Sequence, residues 1–155
     1  MKKKLIFGVI ITLLLSSCGF KIVNNKDLYN YSIIDVKSSG DSKIGFLLKN
    51  NLQVKNEIQD KKIKLDIEII KDKSIKEKNI KNQITKYEIS LNLKVEYNLD
   101  FSNERGTFSI SKTGSYNVEE KYSQTKNNEN NLIVALSNNL VEEIKINLSE
   151  ITNDL

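Results

Sequence analysis

Apolar and polar residues change period along this chain, and the changes assign its elements. Tyr87, Ile89, Leu91, Leu93, Val95, Tyr97, Leu99 and Phe101 alternate without a break with Glu88, Ser90, Asn92, Lys94, Glu96, Asn98 and Asp100. A period of two places the two sets on opposite sides of a pleated ribbon, so this segment predicts a long strand with one buried and one wet face. Ile63, Leu65, Ile67 and Ile69 alternate with Lys64, Asp66 and Glu68 and predict another. After Phe101, Ser102-Asn103-Glu104-Arg105-Gly106 has turn chemistry. Alternation resumes between Thr107 and Glu120 at Phe108, Ile110, Tyr116 and Val118, so that strand lies antiparallel to the one before it. Lys112 falls on the inward side of the pattern, which predicts a bulge or bend near Gly114. A β-branched run from Tyr31 to Val36, closed by a turn at Ser38-Ser39-Gly40, predicts the first strand.

Two stretches carry a helical period instead. Ile44, Leu47, Leu48 and Leu52 share one helix face, Asp41 or Ser42 is the N-cap, and the helix is expected over 42 to about 58. Gly45 in its first turn permits close packing on the sheet. Leu132, Ile133, Leu136, Leu140, Ile144 and Leu148 form the stripe of a second helix over about 125 to 150. The order is therefore β-α-β-β-β-α. A helix in the first crossover makes strands one and two parallel, and short connections make strands two to four an antiparallel meander. The expected fold is a two-layer α+β domain, with two helices packed on one face of a mixed four-stranded sheet. The other sheet face is polar enough to meet water or a hydrated partner.

The N-terminus obeys neither period. Lys2, Lys3 and Lys4 precede an apolar core, Leu5 to Leu15, whose only polar residue is Thr12. As a helix it would reach about 16 Å, too short for about 30 Å of hydrocarbon, so it reads as an export signal. Leu15-Ser16-Ser17-Cys18 follows directly. Small residues ahead of a thiol are what a signal peptidase and a diacylglycerol donor require, so this resembles the lipobox of a bacterial lipoprotein, with cleavage between Ser17 and Cys18. Cys18 is the only cysteine. Multiple acyl chains on it would make a durable membrane anchor, where a single chain anchors only marginally. Gly19 stands where an aspartate would favour inner-membrane retention, which points to the outer membrane, periplasmic side. Residues 1–17 are thus the signal, 18–30 the lipidated terminus and tether, and 31–155 one domain.

Composition narrows the chemistry. Removing 17 of the 155 residues leaves 138, enough for one core, and takes three of the 24 basic residues with it. The net charge falls from +4 to about +1, so the basic character belongs mostly to the signal, and nucleic acid is not an expected partner. The chain has no His, no Trp and no Pro. It therefore offers neither an imidazole base nor a zinc or haem ligand set, and no cofactor, metal or catalytic residue is expected. The carboxylate pairs Glu119-Glu120 and Glu142-Glu143 are the only visible acid/base candidates, and adjacent pairs are more often solvated positions at an element's edge.

On Cys18-Gly19-Phe20-Lys21, the β-α-β-β-β-α order, and Tyr122 leading into a long C-terminal helix, the chain resembles the LPS-assembly lipoprotein family, LptE. Members often carry a proline shortly after the cysteine motif, where this chain has Ile22-Val23. The resemblance implies a non-enzymatic partner of a large outer-membrane β-barrel, LptD-like, acting as plug and assembly factor while lipopolysaccharide moves to the outer leaflet. Lipopolysaccharide carries phosphates, so cations are useful at its contact. Residues 71 to 86 hold six lysines against Asp72 and Glu77 and are expected to connect strands two and three. Lys71, Lys73, Lys76, Lys78 and Lys81 there, with Arg105 at the next hairpin, are the candidate contacts; a solvated hairpin tip is the plainer reading. The alternatives are an auxiliary lipoprotein of an envelope ABC-type transporter, and an envelope hydrolase using the carboxylate pairs.

Overall fold

The computed structural model describes residues 30–53 and 61–154. The signal, Cys18, most of the tether and the last turns expected of the first helix lie outside the described residues. Six elements follow in the predicted order: β1 (Ser32–Gly40), α1 (Ser42–Leu52), β2 (Lys62–Lys78), β3 (Ile84–Leu99), β4 (Glu104–Asn117) and α2 (Tyr122–Asn153). The strands form one sheet in the order β1-β2-β3-β4. β1 runs parallel to β2, while β2–β3 and β3–β4 are antiparallel. The α+β class and mixed topology expected from the periodicity are those observed.

Both helices pack on the face bearing the inward residues of the alternating strands. Ile44, Leu48 and Leu52 of α1 and Leu140, Ile144 and Leu148 of α2 meet Ile63, Ile67, Leu91, Leu93 and Leu99 of the sheet, all of them fully buried. Removing each such side chain from water contributes about 2 kcal/mol. The helices run parallel to each other, since Lys43 Nζ donates to Asn130 Oδ1 at 2.7 Å and Asn51 Nδ2 to Asn138 Oδ1 at 3.1 Å. The side chain of Asp41 caps α1 by accepting from the amides of Lys43 and Ile44, both at 3.1 Å. Gly45 is buried beside Ser38, as its place in the helix anticipated.

The structure corrects four expectations. Ser38-Ser39-Gly40 is strand, paired with Ile67, Glu68 and Ile69, and not a turn. The direction change falls at Gly40 itself, where φ is +97° and a Cβ would lie 2.0 Å from the carbonyl oxygen of Ile69. α1 ends at Leu52, with the Gln53 amide bonded to the Lys49 carbonyl. Gly114 marks no bulge, because β3 and β4 pair in unbroken register from Glu104 to Asn117. Lys112 does point inward, and an ion pair with Glu143 of α2 lets it do so. Gly114 serves α2 instead, since a Cβ there would come within 2.7 Å of Leu132.

The fourth correction is the largest. The lysine-rich segment is mostly strand: β2 continues to Lys78 and pairs with Ile84–Leu91 of β3. Turn residues are confined to 79–83, where Asn79 Oδ1 accepts from the amides of Lys81 and Gln83 and Asn82 takes a left-handed φ of 59°. The Asn79 amide bonds the Gln83 carbonyl, which closes a three-residue loop over 80–82 with asparagine where a positive φ is required. The other hairpin uses Asn103 in the same way, also at φ 59°, so it closes before Gly106.

Candidate functional site

The lysines expected to share one loop are divided among different surroundings. Lys71 faces the helix layer and pairs with the capping carboxylate of Asp41. Burial opposes the charge on Asp41, but Lys71 and the amides of Ile44 and Lys43 outweigh it and hold its pKa below the usual value. Lys76 pairs with Glu88 at 2.7 Å, and Lys86 with Glu77 at 2.8 Å, both across the β2–β3 ladder. Lys78 and Lys81 have no carboxylate partner among the described residues. Arg105 lies at the opposite end of the sheet, opposite Asn98, so the six candidates do not form one site.

Lys73 is built into the structure most closely. Its ammonium stands 4.4 Å from the ring centre of Tyr87 and 5.4 Å from that of Tyr116, and 3.1 Å from Glu129 Oε2. The two tyrosine rings stack at 5.8 Å, and the Tyr116 hydroxyl donates to Glu129 at 3.2 Å. Lys126 adds a second cation to Glu129 at 3.3 Å. Burial alone would lower the Lys73 pKa, yet Tyr116 and Glu129 more than reverse it and hold it above the ordinary lysine value. Glu129, pushed upward by burial, is pulled below its usual range by Lys73 and Lys126. Tyr116 is raised, first by burial. This cluster ties the β2–β3 hairpin to α2, and it borders an open cavity of about 430 Å³ together with Glu119, Glu120 and Tyr122. A charge-paired lysine held over two rings is a fastening, with little left over for a phosphate.

The sheet face away from the helices is mostly polar, with Ile70 of β2 half-exposed among Glu68, Asn92 and Lys94. β4 presents Thr107, Ser109, Ser111, Thr113 and Ser115, and β3 presents Ser90, Asn92, Lys94, Glu96 and Asn98. Ser90 and Thr113 hydroxyls lie 3.0 Å apart, and Ser111 donates to Asn92 at 2.7 Å. Arg105 opens onto a shallow concavity of about 400 Å³ with Asp35, Lys37, Lys64, Asp66 and Glu96. Cations and carboxylates are interleaved there, with Asp66 directly opposite both Lys37 and Glu96. Such a face can hydrogen-bond to a polar wall; it has no concentrated charge for one anion. The carboxylate pairs do not converge either. Glu119 and Glu120 are exposed beside the start of α2, while Glu142 pairs with Lys145 and Glu143 with Lys112.

One prominent residue escaped the periodicity. Ile80 is fully exposed at the β2–β3 turn, between Asn79 and Lys81. Asn79 and Asn82, which close the turn, are the available signal.

The fold defines a class: a two-layer α+β domain whose two helices cover one face of an elongated β-α-β-β-β-α sheet. No family model and no curated protein matches the sequence. Among solved structures the chain is similar to rare lipoprotein B of Shewanella oneidensis, at TM-score 0.59 and 12% identity, over 80% of this chain and 96% of that one. It is likewise similar to lipoprotein B of Nitrosomonas europaea, at TM-score 0.56 and 16% identity, over 80% of this chain and 88% of that one. At these identities the likeness is one of fold.

Proposed function

We propose that this chain is an outer-membrane lipoprotein, anchored from the periplasmic side by acyl chains on Cys18. There it works as plug and assembly factor of an LptD-like β-barrel in lipopolysaccharide transport to the outer leaflet. The observation that carries the reading is the length and polarity of the open sheet face. β2 has 17 residues, about 55 Å at about 3.3 Å per residue, against an apolar band about 25 Å tall on an outer-membrane barrel. The described chain starts at Asn30, bonded to Thr152 and Asn153 at the end of the sheet where β2 begins. The β2–β3 turn is at the other end. A domain anchored near Asn30 would thus extend through a barrel, its hydroxyl and mixed-charge face toward a lumen that is itself polar. The lipobox supports the anchor, and the fold shared with two lipoproteins agrees with it.

Purification of the acylated protein from its native membrane in gentle detergent is expected to bring down a large heat-modifiable β-barrel. A lone monomer, under conditions that keep other barrel complexes intact, would refute the reading.

A further inference from the structure

Two stretches of open sheet edge are guarded, and one is not. β1 has 9 residues, shifts register between Ile33 and Asp35, and ends at Gly40. β2, where it extends past β1, has Lys71, Lys73, Lys76 and Lys78 and shifts register on both sides of Glu77. Short strands, irregular register and lysines are the devices that keep a free edge from pairing with another chain. β4 has none of them. It runs 14 residues in unbroken register without proline, and its one lysine, Lys112, is turned inward to Glu143. The Val118 amide donates to the Thr85 carbonyl at 2.9 Å, so residues in even step with Val118 bond to β3. The alternate residues, Thr107, Ser109, Ser111, Thr113 and Ser115 among them, therefore turn amide and carbonyl to the outer edge. Asn128 bonds the last of these carbonyls, at Asn117, and no strand lies on that side.

The strand is also its own complement. Antiparallel pairing of two copies about Ser111 sets Ser109 opposite Thr113 and Thr107 opposite Ser115, hydroxyl pairs like that of Ser90 and Thr113, 3.0 Å apart inside the sheet. On the helix side it sets Phe108 opposite Gly114 and Tyr116 opposite Gly106, each ring against a residue with no side chain of its own. Arg105 comes opposite Asn117, beside the exposed Glu119-Glu120 of the other copy, and the match repeats at the other end of the pair. No like charges are opposed. Packed helices about 8–10 Å apart lie within the roughly 14 Å from β1 to β4, so α2 leaves room for its counterpart.

We infer that the outer edge of β4 is a self-association surface, by which two copies pair antiparallel about Ser111 and join their sheets into one. The inference goes beyond the barrel-partner reading and stands without it, because it concerns copies that no barrel holds.

The test uses the purified full-length mature protein in detergent, freed of co-purifying chains, with single cysteines introduced on β4. Opposed residues of a hydrogen-bonded antiparallel pair lie about 5.5 Å apart at Cα, within reach of a disulfide. Ser111→Cys, which faces itself across the axis, is expected to give a reducible dimer under mild oxidation. Ser109→Cys and Thr113→Cys should each stay monomeric alone and join when mixed. The parent chain is the control for Cys18 and should give no such dimer. Ser111→Lys opposes two ammonium groups on the axis and should weaken association at least about ten-fold in sedimentation. Ser111→Pro removes an amide that β3 does not use, so it should block pairing while circular dichroism shows the domain still folded. Failure of Ser111→Cys to dimerise overturns the inference. So does dimerisation of Ser109→Cys alone to the same extent, which would show contact without register, or a folded Ser111→Lys chain that associates as the parent does.

Discussion

Single side chains decide where the two layers are fastened. Glu129 answers Lys73, Lys126 and the Tyr116 hydroxyl at once, so Glu129→Gln removes an ion-pair network and leaves Lys73 held over two rings without its counter-charge. Lys73 is partly exposed, and water screens the pair, so the expected loss is only about 1 kcal/mol of unfolding free energy. The pH dependence follows from the direction of each shift. Glu129 has a lowered pKa, so its contribution is complete above the ordinary glutamate value of 4.5 and is lost as pH falls through the lowered folded value. Asp41, also lowered, acts in the same direction. Lys73 has a raised pKa, so its share is complete below the ordinary lysine value of 10.5 and is lost only as pH rises past the folded one. Urea denaturation across pH should therefore show a shallower acid limb for Glu129→Gln than for the parent chain. Identical limbs would show that Glu129 is not linked to folding.

At the scale of elements, β2 has two parts with different support. From Ile63 to Ile69 its inward residues are buried and it has a strand on each side; beyond Ile69 it has β3 alone. Charge pairs and the Lys73 cluster replace apolar burial there, and these resist opening less well. Amide exchange read by mass spectrometry is expected to be about a hundred-fold faster over 71–78 than over 63–69. Equal protection would mean that something else covers the free edge of β2. The same division explains why this half was illegible as strand. Alternation of Leu and Ile with polar residues is visible because one face is buried, but at Lys71 and Lys73 the buried-side positions are lysines whose partners, Asp41 and Glu129, come from α1's cap and from α2. No local pattern records partners that lie 30 and 56 residues away. The role of Gly114 is hidden in the sequence for a related reason. The sequence places a glycine beside an inward lysine, and only the packing shows that Leu132 occupies the space above it.

For the whole molecule, Asn30, where the described residues begin, and the β2–β3 turn are at opposite ends of one long sheet. A Cys18→Ser chain should consequently lose its place in the membrane fraction while the 31–155 domain remains folded, a separation that cell fractionation and circular dichroism check together. Retention of Cys18→Ser in outer membranes at parental levels would show that acyl chains on Cys18 are not what holds the protein there.

Unbroken alternation from Tyr87 to Leu99, the helical stripes at Ile44–Leu52 and Ile133–Leu148, and the Leu15–Cys18 signature are local patterns. They determined the element order, the α+β class and the expected address, because burial on one face imprints a period on consecutive residues. Which lysines stay free and which are neutralised depended on the tertiary structure. The joining of the β2–β3 hairpin to α2 and the exposure of Ile80 at the far end did as well. Charges find partners through space, and the chain brings Lys71 to Asp41 and Lys73 to Glu129 only after the sheet and helices have packed.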